Sequence, residues 1–119
     1  MTGTPGGDPR LQIRASRGPD GTTVLGLTGD LDQDSAEELR RALAEALADS
    51  APRLLVDLTG VGFCDSTGLN VLLRARQGAD GRIELCGLGE QAARLFEVTG
   101  AATVFTIHPT PADALETGG

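Results

Sequence analysis

Three consecutive apolar residues, Leu54-Leu55-Val56, have no polar member to turn toward water, so a strand built from them is covered on both faces. The chain then changes period. Asp57–Phe63 leads into Cys64-Asp65-Ser66-Thr67-Gly68, after which Leu69, Leu72 and Leu73 mark a helix ending near Gly78. A strand buried on two sides and followed by a helix restricts the chain to folds that lay helices on a sheet.

The flanking segments fit that restriction. Leu11–Arg17 alternates, with Leu, Ile and Ala on one side and Gln, Arg and Ser on the other, as a half-buried strand does. Gly18-Pro19-Asp20-Gly21 is a turn, Thr22–Thr28 the second strand of a hairpin, and Gly29-Asp30-Leu31-Asp32 a short acidic turn. In the helix that follows, Asp34 with Glu37 or Ser35 with Glu38 can form a capping box. Leu39, Leu43 and Leu47 make its apolar stripe, Glu37 and Arg41 form an exposed pair four residues apart, and Ser50-Ala51-Pro52 ends it. Arg82–Cys86 is another strand, Gln91–Thr99 a helix stopped by Gly100, and Val104–Ile107 the last strand. Thr110-Pro111 opens a final short helix. The expected order is β-β-α-β-α-β-α-β-α, a single-domain α/β fold with a mixed sheet of about five strands and about four helices. The domain spans residues 10–116, between a flexible tail at residues 1–9 and a flexible end at residues 117–119. At 119 residues the chain suits one domain, since domains commonly run about 100–200 residues.

Composition removes several kinds of function. All ten basic residues are Arg, so Schiff-base chemistry and a phosphate-binding lysine are excluded. Phe63, Phe96 and Phe105 are the only aromatics, and the net charge is −7. Stacking on single strands needs aromatic faces and duplex binding needs a positive field, so nucleic acid is not an expected partner. The N-terminus lacks the apolar run of a signal peptide, and no stretch approaches the roughly 18 apolar residues of a spanning helix. Cys64 and Cys86 are too few for a disulfide framework or zinc knuckle and are expected as buried free thiols. These features point to a cytoplasmic protein without direct membrane insertion.

The chemistry is concentrated at Asp65-Ser66, where strand becomes helix. First-turn N–H groups point outward there and the helix dipole favours negative charge. Asp65 or Ser66 can serve as the N-cap. Ser66 can alternatively accept a phosphate, adding about −1.5 to −2 charges where an anion is tolerated. Asp65, with Asp30 and Asp32, would then meet like charge. In helical projection Leu69, Leu72 and Leu73 point inward, while Thr67, Asn70, Val71 and Arg74 form an outer strip suited to contact.

Enzyme readings fail on individual residues. A hydrolase elbow G-x-S-x-G would need Gly where Cys64 stands, and the only His, His108, precedes Pro109 at a strand end. Gly87-Leu88-Gly89 followed by Ala92 imitates a dinucleotide fingerprint, but Glu90 sits where pyrophosphate would rest. Asp57 ends an apolar strand run as a phosphoaspartate would, yet the partner lysine is absent. No cofactor motif remains.

The segment DLTGVGFCDSTGLNVLL resembles the signature of the STAS domain, specifically that of bacterial anti-sigma-factor antagonists. Gly29-Asp30-Leu31-Asp32 matches the family's acidic turn, and Leu95-Phe96-Glu97-Val98-Thr99-Gly100-Ala101 matches its helix ending in a T-G pair. The resemblance covers about residues 11–116. It implies a partner switch without an active site of its own. The unmodified protein binds an anti-sigma factor that is also an ATP-dependent serine kinase, and phosphorylation of Ser66 ends binding. A serine phosphatase restores it. By the same resemblance Asp65 flanks the phosphoacceptor, Asp30 and Asp32 belong to the kinase-facing surface, and Thr67, Gly68 and Leu69 begin the contacting helix. Asn70 departs from the small residue common at its position, which bears on partner identity. STAS domains also serve as fixed subunits or regulatory modules of transport complexes, the alternative reading.

Overall fold

The computed structural model describes residues 11–49 and 51–117. The expected tail at residues 1–9, Ser50, and Gly118-Gly119 lie outside the described residues. Five strands form one sheet whose spatial order is the chain order. They are β1 (Leu11–Arg17), β2 (Thr23–Leu31), β3 (Leu54–Cys64), β4 (Ile83–Cys86) and β5 (Thr106–His108). Only β1 runs antiparallel, paired with β2 from Leu11↔Gly29 to Arg17↔Thr23; β2 through β5 are parallel. The helices are α1 (Ala36–Ala48), α2 (Ser66–Gln77), α3 (Glu90–Thr99) and α4 (Pro111–Thr117), so the expected element order holds and Thr117 closes α4.

Alternation along the strands sorts the core into two layers. Leu54, Val56 and Leu58 of β3 join Leu39 and Leu43 of α1, Leu69 and Leu72 of α2, and Ala92 and Phe96 of α3. Leu55 faces the other way and packs with Cys86 and Ala114 of α4. The central strand is therefore covered on both faces at Leu54–Val56. β1 carries the expected alternation, but burial fades from Leu11 through Ile13 to the exposed Ala15 on this edge strand.

Several local expectations need correction. Gly29, Asp30 and Leu31 continue β2, because Gly29 pairs with Val61, Asp30 with Phe63 and Leu31 with Cys64. The turn begins only at Asp32. The N-cap falls at Ser35, one residue past Asp34, and the Ser35 side chain makes no cap hydrogen bond. Ser35 occupies the N-cap but is already helical (φ −103°, ψ −3°), so its hydroxyl turns back to donate to Asp30 O at 2.7 Å and accept from Asp32 N–H at 3.0 Å. Glu37 takes Arg40, three residues on, as its two-pronged partner in place of Arg41. That pairing holds the Glu37 carboxyl below its ordinary range. Both groups are well exposed, so the pair adds little stability. The last strand starts at Thr106, because a 3-10 turn at Ala101–Thr103 intervenes and Phe105 is buried, its ring 5.9 Å from that of Phe96. At the opening of α4, Thr110 Oγ1 accepts from Asp113 N–H at 3.1 Å, as the Thr-Pro pair predicts.

His108 has a structural partner on the α4 side of the sheet. Its Nε2 lies 2.8 Å from Glu84 Oε1, and Arg53 Nη2 donates to the same oxygen at 2.7 Å and to Ala114 O at 2.6 Å. Burial pulls the Glu84 carboxyl up, but the bonds from Arg53 and His108 outweigh it and hold the group below its usual range. Gly87 N–H donates to His108 O and Glu90 opens α3, so the Gly87-Leu88-Gly89 segment serves as a strand-to-helix connection.

Cys64 and Cys86 are buried free thiols, as expected. Burial pushes Cys64 up to about 11 and Cys86 to about 12, with Asp65 and Asp57 respectively adding to the effect. Thiolate is the reactive form, so native protein at pH 8 should be alkylated by iodoacetamide far more slowly than denatured protein. Equally fast labelling in both states would contradict the burial. The linkage sign follows from the raised values. Stability from the protonated thiols is complete below the unfolded-state value near 9.0 and falls as pH climbs toward about 11 and 12.

Candidate functional site

The site is assembled where β3 outruns its neighbour. Asp57↔Cys86 is the last β3–β4 pair, whereas pairing with β2 continues to Leu31↔Cys64. The end of β3 is nevertheless held on both sides. Asp65 N–H donates to Leu31 O at 2.9 Å on the β2 side. On the other, Cys64 N–H donates to Gln91 Oε1 at 2.8 Å while Gln91 Nε2 donates to Cys64 O at 2.7 Å. One side-chain amide thus stands in for the missing strand residue.

The next residue turns the chain. Asp65 remains extended (φ −104°, ψ −178°), and its Oδ1 accepts from Thr67 N–H at 2.9 Å and Gly68 N–H at 3.1 Å. Of the two possible caps, Asp65 is the one used. Ser66 becomes the first residue of α2, exposed, and its hydroxyl makes no hydrogen bond among the described residues. Two orphan donors are satisfied through Asp65 alone, so Asp65→Ala should cost about 1–2 kcal/mol in chemical denaturation, with Asp65→Asn retaining most of the cap. An alanine variant as stable as the parent would contradict the capping geometry.

α2 is seated unusually close to β2. A Cβ placed on Gly68 would lie 2.7 Å from both Leu31 Cβ and Leu31 O. Only hydrogen fits between helix and strand at this crossing. The close approach draws the acidic segment beside the serine, since Leu31 is flanked by Asp30 and Asp32. Both are half-buried. Asp32 Oδ1 also accepts from Asp34 N–H at 3.0 Å and Ser35 N–H at 3.1 Å, fixing the entry to α1. The structure therefore brings Asp30, Asp32, Asp65 and Ser66 to one end of the sheet.

The remaining site residues divide by exposure. Asn70 and Arg74 are exposed, as the projection implies, whereas Thr67 is half-buried. Gly68 and Leu69 are buried and carry the helix without presenting themselves to a partner. Val71 and Leu73 are both half-buried and packed against the core, and Val71, expected on the outer strip, also lines a groove with Leu43 and Leu47 of α1. The inward stripe is thus Gly68, Leu69 and Leu72. Arg74 lies about two helical turns, roughly 12 Å, from Ser66 along α2.

Two residues at this end escape a reading by motif. Gln91 sits in a helix far along the chain, and no local pattern announces its reach to Cys64. Phe63 is 44% exposed beside Asp30, an aromatic face left open next to the junction. Its scarcity as one of three aromatics was the available signal.

A mixed five-stranded sheet under α1–α3, with an Asp-capped, serine-led helix at the end of its central strand, defines a STAS domain. The family model described as "Mlab, STAS domain" matches residues 15–107, and the chain belongs to that family. Anti-sigma-F factor antagonist RsfB of Mycobacterium tuberculosis is 30% identical over 97 residues, covering 80% of each chain. The anti-sigma-B factor antagonist of Listeria monocytogenes is 34% identical over 87 residues, covering 68% of this chain and 74% of the relative. The crystal structure of an anti-sigma factor antagonist from Mycobacterium paratuberculosis superposes with a TM-score of 0.83 at 27% identity, covering 90% of this chain and 92% of that one. No described helix is long and apolar enough to cross a membrane.

Proposed function

We propose that this protein is an anti-sigma-factor antagonist that works as a phosphorylation switch in the cytoplasm. Its unphosphorylated form binds an anti-sigma factor with ATP-dependent serine kinase activity and so releases a sigma factor. The observation that carries the reading is the division of labour at the junction. Asp65 performs the capping, and the adjacent Ser66 is left exposed, its hydroxyl without a hydrogen bond among the described residues. The names of the curated relatives support the same role.

In the transfer step Ser66 Oγ forms a bond to the γ-phosphorus of ATP, the bond to the ADP oxygen breaks, and the hydroxyl proton leaves to a base on the kinase. The product dianion stands next to Asp65 and near Asp30 and Asp32, on the surface that had been docked. Asp30, Asp32, Asp65, Ser66, Thr67, Asn70 and Arg74 form that surface, with Val71 at its margin and Gly68 and Leu69 seating the helix beneath it. Repulsion and desolvation of the added charge expel the kinase. A serine phosphatase removes the phosphate and resets the switch.

Paired baits test the reading. Ser66→Ala and Ser66→Asp proteins are passed through lysate of the source organism with ATP or ADP, and the retained proteins are identified by mass spectrometry. An ATP-binding kinase held by Ser66→Ala and lost by Ser66→Asp is expected. Transport subunits held equally by both baits would overturn the switch in favour of a fixed module.

A further inference from the structure

We propose that Gln91 is a positioning residue for the phosphoacceptor: its side chain sets the path of the chain through Cys64 and thereby aims Ser66 at the kinase. The inference rests on the reading of Ser66 given above and adds a residue outside the Asp-Ser-Thr-Gly segment.

The geometry carries it. β4 stops opposite Asp57, so the last part of β3 has no strand on that side. The Gln91 amide fills the gap at one residue, accepting from Cys64 N–H at 2.8 Å and donating to Cys64 O at 2.7 Å. A primary amide offers a donor and an acceptor side by side, as a backbone residue in a ladder does. With Asp65 N–H on Leu31 O at 2.9 Å, the two residues before Ser66 are fixed from opposite sides. Gln91 itself is anchored by its helix, because the next residue Ala92 and then Phe96 are buried in the main core. Movement of the start of α3 is therefore passed to Cys64 and from there to Asp65 and Ser66.

This coupling matters for transfer because the hydroxyl must meet the γ-phosphorus in line, and small misplacements of a reacting group are costly in rate. Removing the clamp leaves Cys64 O and N–H without their partner while the Asp65 cap and the helix remain. The kinase still finds its docking surface, but the nucleophile is held less well.

Two variants separate this role from simple support. Gln91→Met keeps length and removes both hydrogen bonds; Gln91→Glu keeps the acceptor for Cys64 N–H and loses the donor to Cys64 O. By amide hydrogen exchange, Cys64 should exchange at least about tenfold faster in Gln91→Met and stay protected in Gln91→Glu, with β1 and β4 amides unchanged. With the kinase retained on the Ser66→Ala bait, kcat for phosphorylation of Ser66 should fall about tenfold or more in Gln91→Met while KM stays within about threefold. Unchanged exchange at Cys64, or unchanged kcat, overturns the positioning role. A rise in KM alone also overturns it, since that would make Gln91 part of docking. If the parent protein takes no phosphate at Ser66, the switch itself is wrong and the Gln91 role falls with it. Equal kcat for parent and variant rejects Gln91 alone.

Discussion

Gly68→Ala is expected to lower the unfolding free energy by about 1–3 kcal/mol, the usual cost of forcing volume into a packed contact. In an open helix the same change would stabilise by up to about 1 kcal/mol, because Ala is the better helix former. The sign reverses here because the new methyl would stand 2.7 Å from Leu31 Cβ and from Leu31 O. A backbone oxygen cannot swing aside as a side-chain tip can, and this one already accepts from Asp65 N–H. To admit the methyl, α2 must lift from β2 and strain that bond. Gly78→Ala, whose nearest neighbour would be Ala75 O at 3.9 Å, provides the control and should be close to neutral. Urea denaturation of the two variants decides the matter. If Gly68→Ala matches the parent, the helix is not seated on Leu31 as described.

Ser66→Asp should weaken binding to the captured kinase at least about tenfold, or 1.4 kcal/mol, while Ser66→Ala binds within about twofold of the unmodified protein. The loss should not come from unfolding. An acidic side chain in the first turn of a helix is favoured by the dipole, so the thermal midpoint of Ser66→Asp should match or slightly exceed that of the parent. Binding and stability thus move in different directions, which separates the switch from simple damage. If like charge among Asp30, Asp32, Asp65 and the new carboxylate drives the loss, the deficit should shrink near 1 M salt, where the Debye length is about 3 Å. Calorimetric titration at two salt concentrations measures both effects. Equal affinity of the Ala and Asp variants would reject Ser66 as the control point.

What the sequence reveals about this molecule depends on the range of the interaction. The two-sided burial of Leu54–Val56 and the inward turn of Leu39 and Leu43 are matters of period and apolar content, and both are found as expected. Choices between neighbouring polar groups turn on backbone angles that residue type alone does not set. Asp65 wins the cap over Ser66 because it alone stays extended before the helix, whereas Ser35 turns helical too early to cap α1 at all. Asp30 looks like a turn residue because it is an acid beside a glycine, yet pairing with Phe63 draws it into a strand. Gln91 is the extreme case. Its role depends on a partner, Cys64, that lies 27 residues earlier in the chain and is brought beside the start of α3 only by the fold.

Strand order along the sheet is the same as strand order along the chain. Each strand therefore finds its neighbour already made, and none has to be threaded between two that are in place. During synthesis, where the N-terminal part emerges first, the sheet can grow from one edge only. The junction around Ser66 is complete as soon as α3 has delivered Gln91, and β5 and α4 are then laid on the finished side. The hydrogen bonds described at that junction thus all fall within residues 31–91, upstream of the last strand.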